Sequence, residues 1–401
     1  CGLNLRPGRR EVSGVRSSVS SSKMTPLSWV EIDRGRLESN LAAIRNVIDS
    51  KSAMMIVVKA NAYGHGLEEI APIVAPRADW LGVNALEEAL ALARLGIENP
   101  IAILGYTPPA RSREVVDHGF RQVVFRLDAA QSLSQAAREA KRPARVHIKV
   151  ETGTNRLGIR VTDLAGFLSE IRNLPGLEVE GLYTHFANIE DTLDASFAKL
   201  QLQRFRDGIE IAERVGVEPR FVHAGATAGV LLYPEIHFSM VRVGIGAYGV
   251  WPSRETRLAA RGRGKEIDLQ PVLAWKARIA QVKDVTAGEF IGYGLTYQVR
   301  RPMRVAVIPV GYYDGLDRQL SNTGRALVRG QPAPIVGRVA MNMIVLDVTA
   351  TDAAEDEEAV LIGRQGDAEI RVEELAEKSG TISYETLARI HPSLPRRVVT
   401  S

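Results

Sequence analysis

The sequence predicts an α/β protein in which a (β/α)8 TIM barrel is followed by a mainly β C-terminal domain. From Lys51 to Gly249, a short β-branched run followed by a turn and an amphipathic stretch recurs eight times, which is typical of such a barrel. After Trp251 the runs alternate apolar and polar residues without intervening helical stretches, as antiparallel strands do. We therefore expect a tail at 1–24, a barrel at 25–252 and a β domain at 253–401.

The barrel prediction depends on the eight apolar runs and on what separates them. Between the second and third runs, Leu86, Ala89, Leu90 and Ala93 share one helical face, and Gly96 supplies a stop. A doubly wound open sheet is the alternative, but no Gly-x-Gly-x-x-Gly follows the first run. The eight runs are Met54–Lys59, Trp80–Val83, Ile101–Leu104, Gln122–Phe125, Arg145–Val150, Val179–Thr184, Phe221–Ala224 and Met240–Ile245.

The region after the barrel predicts strands with few helices. Residues 253–265 are charged and contain glycine, which suits a linker, and a short helix is expected at Val372–Lys378. The predicted strand regions are Leu273–Gln281, Arg304–Val310, Arg325–Val328, Ile335–Val339, Ile344–Val348 and Ala359–Ile362.

Charge and cysteine content exclude several classes of protein. The 401-residue chain has a net charge of +4, but residues 1–23 carry five basic side chains and one acid, leaving 46 basic and 46 acidic side chains in the remainder. The body therefore has no bulk attraction for nucleic acid. The single cysteine excludes an internal disulfide framework and favours a reducing, cytoplasmic location. No apolar run is long enough to predict a membrane span.

The N-terminal tail is rich in Ser, Arg and Gly and has no apolar core like that of a signal peptide, so we expect it to be disordered. Met24 directly precedes a strand-like segment, and our interpretation is a translation start placed upstream of the true one. The alternative is that Cys1 is a lipidated residue left after processing.

Lys59 is the first candidate for chemistry. It ends the first barrel run, and the C-terminal ends of barrel strands face the mouth where such enzymes keep their active sites. Burial among apolar residues would lower the pKa of its ammonium and make the amine nucleophilic, as Schiff-base chemistry requires. A surface lysine with a buried stem is the alternative interpretation.

The seventh and eighth runs predict a phosphate site, which barrels often place there. Thr227 follows the seventh run and offers a hydroxyl, while Gly244 and Ile245 end the eighth and offer backbone N–H groups. Arg242, inside the eighth run, needs a partner because an unpaired buried guanidinium is costly.

The string Lys-Ala-Asn-Ala-Tyr-Gly-His-Gly, residues 59–66, resembles the signature of the alanine racemases around the lysine that carries pyridoxal phosphate (PLP). The resemblance covers residues 28–400. It implies that Lys59 holds PLP as a Schiff base and acts as one of two catalytic bases, and that Tyr63 contacts the cofactor phosphate. His65 is expected to be structural.

The resemblance also implies the second base and its surroundings. Tyr293, in Gly-Tyr-Gly-Leu-Thr-Tyr, corresponds to the family's second base, and His185 to the histidine beside it. Arg242 corresponds to the arginine that faces the pyridine nitrogen of PLP. Because a guanidinium does not readily give up a proton, that nitrogen stays unprotonated, which disfavours transamination.

The remaining site residues follow from the same resemblance. Arg156 would meet the phenolic oxygen of PLP and the substrate carboxylate, and a fork of donors suits that task. Lys149 aligns with a lysine that the family often carbamylates. Contacts to substrate or entrance are implied for Tyr312 and Met341, and a phosphate contact for Tyr384.

The function implied is interconversion of L-alanine and D-alanine, supplying D-alanine for peptidoglycan, by a homodimer with shared sites and without a metal. Three alternatives stay open. A related racemase could have a broader amino-acid preference, and a non-catalytic PLP-carrying barrel protein would end after the barrel. A fold-related decarboxylase would place an acid, not Arg242, on the pyridine nitrogen.

Three departures from the family's pattern concern the substrate profile. Ala226-Thr227 replaces Asn-Ser, Ala340-Met341-Asn342 replaces Ser-Met-Asp, and Thr154-Asn155 replaces Met-Gly or Met-Asn. The second change removes a negative charge near the expected site.

Overall fold

The computed structural model describes residues 26–264 and 266–400. The predictions for the tail at 1–24, including its disorder and the interpretation of Cys1, lie outside the described residues.

Eight parallel strands form a nearly closed barrel, which confirms the predicted fold. The first seven strands pair in chain order and the eighth pairs with the first, so the open seam lies between the seventh and the eighth. Between the seventh and eighth strands the Arg242 backbone N–H donates to the Gly225 carbonyl at 3.1 Å. A two-residue strand, Ile159–Arg160, pairs in parallel with the end of the fifth. The eight strands are Ala53–Val57, Trp80–Val83, Ile101–Ile103, Arg121–Val124, Ala144–Glu151, Leu177–Tyr183, Phe221–His223 and Met240–Val243.

Helices surround the barrel. The first, Arg34–Val47, begins where the Asp33 carboxylate accepts the Arg36 N–H at 3.0 Å, an N-cap that satisfies one free donor of the first turn. Its buried stripe of Leu37, Leu41 and Ile44 faces the core. The others are Leu67–Val74, Leu86–Arg94, Ser112–Asp117, Leu127–Ala140, Val161–Ile171, Ser196–Arg214 and Thr227–Leu232.

The C-terminal part is mainly β, as predicted. The strand Ser28–Asp33 precedes the barrel in the chain but lies in this part, antiparallel to Leu273–Arg278 and parallel to Arg396–Val399. The other strands are Gln281–Val285, Phe290–Ile291, Tyr297–Gln298, Met303–Ile308, Arg325–Val328, Gln331–Pro334, Ile344–Asp347, Glu358–Gln365 and Ala368–Ile370. One continuous apolar core runs from the barrel into this domain, so the two parts pack as one body.

Several short strands of the C-terminal part were not predicted, among them Gln331–Pro334, Ala368–Ile370 and Arg396–Val399, and three further elements differ from the sequence-based expectation. The expected linker contains a helix, Arg254–Gly262, because the Ser253 hydroxyl caps it by accepting the Thr256 N–H at 3.1 Å and Ala260 is buried. The expected strand at 335–339 makes only one bridge, since Gly337 adopts φ 78° and turns the chain. A helix at Ser383–Ala388 was not predicted, whereas Val372–Lys378 is helical as expected.

Within the described ranges, no helix combines the length and the apolar character needed to cross a bilayer.

Candidate active site

The chain leaves the first barrel strand through an unusual left-handed turn that begins after Lys59. Four consecutive residues, Ala60 to Tyr63, have φ between 53° and 55°. Such a run is costly for residues with a Cβ atom. The turn therefore persists only because the surrounding structure holds it. It fixes the backbone position of Lys59, which directly precedes it.

Three side chains hold the turn. The Glu88 carboxylate accepts the Ala60 N–H at 2.6 Å, and Arg396 donates to the Gly64 carbonyl at 2.8 Å. His65 is buried and places Nδ1 3.0 Å from the Ala62 carbonyl and 3.1 Å from the Tyr63 carbonyl. Because carbonyl oxygens only accept, Nδ1 carries the proton. The sequence analysis expected a structural His65 but missed Glu88 and Arg396.

Cationic side chains from different strands meet around Lys59. Burial, reinforced by Arg156, lowers the pKa of the Lys59 ammonium. The same two causes lower the pKa of Lys149 to about 8. Burial followed by the charge of Arg242 lowers the pKa of His185 well below its usual range. The structure thus brings together five of the predicted residues, and their shared field suits an anionic ligand.

Arg242 is buried and is held by neutral acceptors. Its guanidinium donates to His223 Nδ1 at 2.6 Å and to the carbonyls of Thr184 and Ala224 at 2.8 and 3.0 Å, and His185 Nδ1 lies 3.4 Å away. Burial lowers the pKa of Arg242 to about 10, so it stays charged at neutral pH. The sequence predicted that Arg242 needs a partner. The structure provides His223 and two backbone carbonyls, which no local sequence pattern could identify.

A compact cradle of neutral donors lies at the ends of the seventh and eighth strands. The Thr227 hydroxyl oxygen accepts the Gly244 N–H at 3.1 Å. A Cβ at residue 244 would overlap the Tyr63 hydroxyl, so only glycine fits there. The Tyr63 and Tyr384 rings lie 6.2 Å apart, and burial raises the pKa of both, leaving the hydroxyls protonated.

This cradle has the chemistry of a phosphate site. Hydroxyl and backbone N–H donors can surround phosphate oxygens, and glycine allows close approach of the backbone. Ile245, whose N–H was predicted to contribute, is buried and begins the turn that follows Gly244. The phosphate residues predicted from the sequence are therefore neighbours in the structure, and Tyr384 reaches them from the C-terminal domain.

Arg156 is presented by a loop that Glu151 organises. The Glu151 carboxylate accepts the Gly153 N–H at 2.5 Å, the Thr154 hydroxyl at 2.9 Å and the Arg156 N–H at 3.3 Å. Asn155 adopts φ 49°, which asparagine tolerates better than most residues. The departure Thr154-Asn155 thus has a local structural reason, and Glu151 is a residue that the sequence analysis missed.

The remaining predicted residues lie apart from this cluster. Tyr293, Tyr312 and Met341 are 75%, 42% and 54% exposed on the C-terminal domain. Tyr312 N–H donates to the Ala340 carbonyl at 3.0 Å, which places Tyr312 beside the Met341 segment. Within residues 26–264 and 266–400, no hydrogen bond or ring contact joins these three side chains to Lys59. One chain therefore assembles only one part of the predicted site.

The fold and the site define a (β/α)8-barrel enzyme in which a lysine with a lowered pKa follows the first strand and a cluster of hydroxyl and backbone donors lies at the ends of the last two. A family model described as the alanine racemase N-terminal domain matches residues 32–252, and one for the alanine racemase C-terminal domain matches residues 272–398. The chain belongs to the alanine racemase family. The residues the structure describes hold no group of three or more His, Cys, Asp or Glu side chains arranged for a metal.

Relatives match along nearly their whole length. The alanine racemase of Leptospira interrogans is 40% identical over 390 residues, covering 96% of this chain and 99% of that protein, and the one from Syntrophobacter fumaroxidans is 43% identical over 365 residues, covering 90% and 95%. The crystal structure of the alanine racemase of Streptomyces lavendulae superposes with a TM-score of 0.88 at 35% identity, covering 94% of this chain and 98% of that one. The Bacillus anthracis alanine racemase with bound L-Ala-P gives 0.88 at 34%, covering 94% and 96%.

Proposed function

We propose that this protein interconverts L-alanine and D-alanine with PLP, using Lys59 and Tyr293 as two bases. The observation that carries the proposal is Lys59, whose pKa is lowered within the cationic cluster and whose following turn leads to Tyr63 at the phosphate cradle. The names of the relatives supply the substrate.

The residues present fit PLP. Tyr63, Thr227, Gly244, Ile245 and Tyr384 would hold its phosphate through the cradle. Lys59 would be the covalent attachment point, and Arg242 would face the pyridine nitrogen. When bound, PLP withdraws electrons from the substrate Cα and so makes the Cα proton removable.

Two bases on opposite faces account for racemisation. Lowering the pKa of Lys59 frees a fraction of its amine to take the Cα proton on one face. Tyr293 returns a proton on the other face, and the roles reverse in the other direction. Burial and Arg242 keep the pKa of His185 low, so its ring is neutral. Since His185 Nδ1 faces the Arg242 donor, Nε2 carries the hydrogen and can stabilise a Tyr293 phenolate.

Arg156 would bind the substrate carboxylate. Lys149, whose charge interacts with that of Arg156, would orient it. Because burial and Arg156 lower the pKa of Lys149 to about 8, an amine is available to add to carbon dioxide, forming an N-carboxylate and releasing a proton. The new negative charge would offset the cationic cluster and pair with Arg156.

The partner subunit of a homodimer would complete each site. Tyr293, Tyr312 and Met341 are exposed in one chain and lie among other exposed apolar side chains of the same domain, including Leu295, Tyr313 and Met343. An exposed apolar surface of this kind is typical of an interaction site. A head-to-tail dimer would bring this surface to the partner's barrel mouth.

We further propose that the enzyme acts in the cytoplasm and supplies D-alanine for peptidoglycan. The single cysteine supports a reducing compartment.

The test is a racemase assay of the purified protein with PLP and each L-amino acid, with both enantiomers measured by chiral chromatography. Alanine should turn over fastest. Comparable turnover of several amino acids would favour the broader racemase, a candidate kept open by the exposed Asn342 beside Met341. Bound PLP with no turnover of any amino acid would favour the non-catalytic barrel protein.

A further inference from the structure

The charge of Arg242 has no counter-charge among its direct partners, because none of them is ionised. Arg242 is buried, and its acceptors are two imidazole rings and two backbone carbonyls. A buried cation without a counter-charge is strongly unfavourable. The hydrogen bonds leading away from Arg242, however, end 3.6 Å from an acid, Glu180.

The path runs through two buried histidines, whose rings meet edge to face with their centres 5.1 Å apart. His223 Nδ1 lies 2.6 Å from Arg242 Nη1, and His223 Nε2 lies 2.9 Å from His147 Nδ1. The remaining nitrogen, His147 Nε2, has no hydrogen-bond partner among the residues that the structure describes, and the Glu180 carboxylate lies 3.6 Å from it. Both rings are completely buried.

Only one arrangement of hydrogens fits these contacts. Arginine is a donor alone, so His223 Nδ1 must accept and Nε2 must carry the hydrogen. His147 Nδ1 must then accept as well, which places its hydrogen on Nε2, facing Glu180. Burial lowers the pKa of both histidines, which keeps the rings neutral. Although burial alone would raise it, the contacts with His147 and Arg121 hold the pKa of Glu180 at about 2.

The backbone is shaped to place Glu180 at the end of this path. The pairing between the fifth and sixth strands shifts register there: Val146 faces Val179, but His147 faces Gly181. Glu180 is thus the extra residue of a β-bulge, a device that redirects a side chain. A Cβ at residue 181 would overlap the His147 ring, so glycine makes room for that imidazole.

A further contact fixes the acid. Arg121 Nε donates to Glu180 at 3.0 Å, and its guanidinium lies 5.0 Å from the centre of the Trp80 ring. The carboxylate is therefore anchored on one side by Arg121 and directed on the other toward His147.

We propose that Glu180, His147 and His223 form a directed relay that orients the Arg242 guanidinium and places a carboxylate two imidazole rings away from its charge. The three are positioning residues, and the inference rests on the proposed function of Arg242 toward the cofactor nitrogen. The hydrogen bond that His223 accepts fixes the direction of the guanidinium, and Glu180, held by Arg121, fixes the direction of the two rings.

The first test needs no turnover. In purified full-length protein labelled with [15N]histidine, the ring signals of His147 and His223, assigned by single substitution, should both be those of neutral rings protonated at Nε2. A signal from protonated Nδ1 in either ring, or from a doubly protonated ring, would overturn the relay. This reading is independent of racemase activity, so a failure of the proposed function is seen separately in the assay of the wild-type protein.

The second test asks whether the relay positions Arg242. With PLP-loaded enzyme and alanine, Glu180→Gln and His147→Phe should raise the ratio of pyridoxamine phosphate formed to racemisation at least threefold, while KM for alanine stays within twofold. Glu178→Gln is the matched control, because Glu178 lies on the same strand but pairs with exposed Arg145 at 3.1 Å. An unchanged ratio in Glu180→Gln and His147→Phe, whatever their thermal stability, would refute the positioning role.

Discussion

The neighbours of Lys59 lower the pKa of its ammonium group. Burial, Arg156 and Arg242 all disfavour its ammonium form and so lower its pKa. The left-handed turn that follows fixes the backbone from which the side chain extends. We expect Lys59→Ala to lose both racemisation and the visible absorption band of the lysine-bound cofactor, measured in the same sample. Lys51→Ala, exposed before the same strand, is the control and should retain both. Normal turnover in Lys59→Ala would contradict the central assignment.

Arg242 governs the fate of the Cα proton in the proposed mechanism. Arg242→Glu would place a carboxylate where a non-titrating donor stood, and so stabilise a protonated pyridine nitrogen. Racemisation should fall at least about tenfold, which corresponds to about 1.4 kcal/mol of activation free energy, and pyridoxamine phosphate should accumulate during incubation with alanine. An unaltered ratio of the two products would rule out this explanation of Arg242.

The lowered pKa of Lys149 predicts that its carbamylation depends on pH. Its pKa of about 8 lies below the usual value for lysine, so the neutral amine that reacts with carbon dioxide grows as pH rises through about 8. In 13C-bicarbonate, a carbamate signal should therefore increase between pH 7 and pH 9 (about one unit on each side of the pKa) and should be absent in Lys149→Met. A carbamate signal that survives this substitution would come from another amine.

At the scale of the element, the turn after Lys59 depends on Gly64. This residue adopts φ 82°, and a Cβ there would overlap the Leu387 carbonyl of the C-terminal domain. Gly64→Ala should therefore destabilise the protein by at least about 2 kcal/mol. Gly96→Ala shares the positive φ, 73°, but meets nothing within 4 Å, and should cost about 1 kcal/mol. Thermal unfolding of both variants tests this, and equal shifts would show that the overlap does not matter.

The elements also show what a sequence can and cannot predict. The barrel strands were predictable because each is a local apolar run, and the proximity of Thr227 to Gly244 because barrel strand ends converge. Glu88, Glu151 and Arg396 were not, since their partners are backbone groups positioned by the fold. Arg396 reaches Gly64 across 332 residues, and no local pattern carries that information.

The helix at Arg254–Gly262 was missed for a different reason. Its arginines, glutamate and glycine suggested a solvated linker, whereas its stability comes from the Ser253 cap and from packing of its small residues. Likewise, the strand Ser28–Asp33 was recognisable as a strand, but its place in the C-terminal sheet is set by strands more than 200 residues away.

At the scale of the whole molecule, the shared-site proposal predicts complementation between two inactive variants. Lys59→Ala and Tyr293→Phe should each be inactive alone. After subunit exchange about half the dimers are mixed, and one of their two sites has both wild-type residues, so activity should recover to about a quarter of the wild-type value. A mixture of Lys59→Ala with Lys59→Arg is the control. Both variants lack Lys59, so no mixed dimer can regain activity. Continued inactivity of the first mixture, with exchange verified by mass-tagged chains, would place both residues of a site in one chain.

The position of the strand Ser28–Asp33 has a consequence for biosynthesis. Its two hydrogen-bonding neighbours, Leu273–Arg278 and Arg396–Val399, emerge from the ribosome only after the entire barrel has been made. The nascent chain must therefore keep an early, apolar strand edge unpaired through most of translation, a state prone to association with other chains. Closing that edge is the last pairing available to the chain. The same late segment brings Arg396 to the turn that follows Lys59, so a prematurely terminated product would lack one of the contacts that hold this turn.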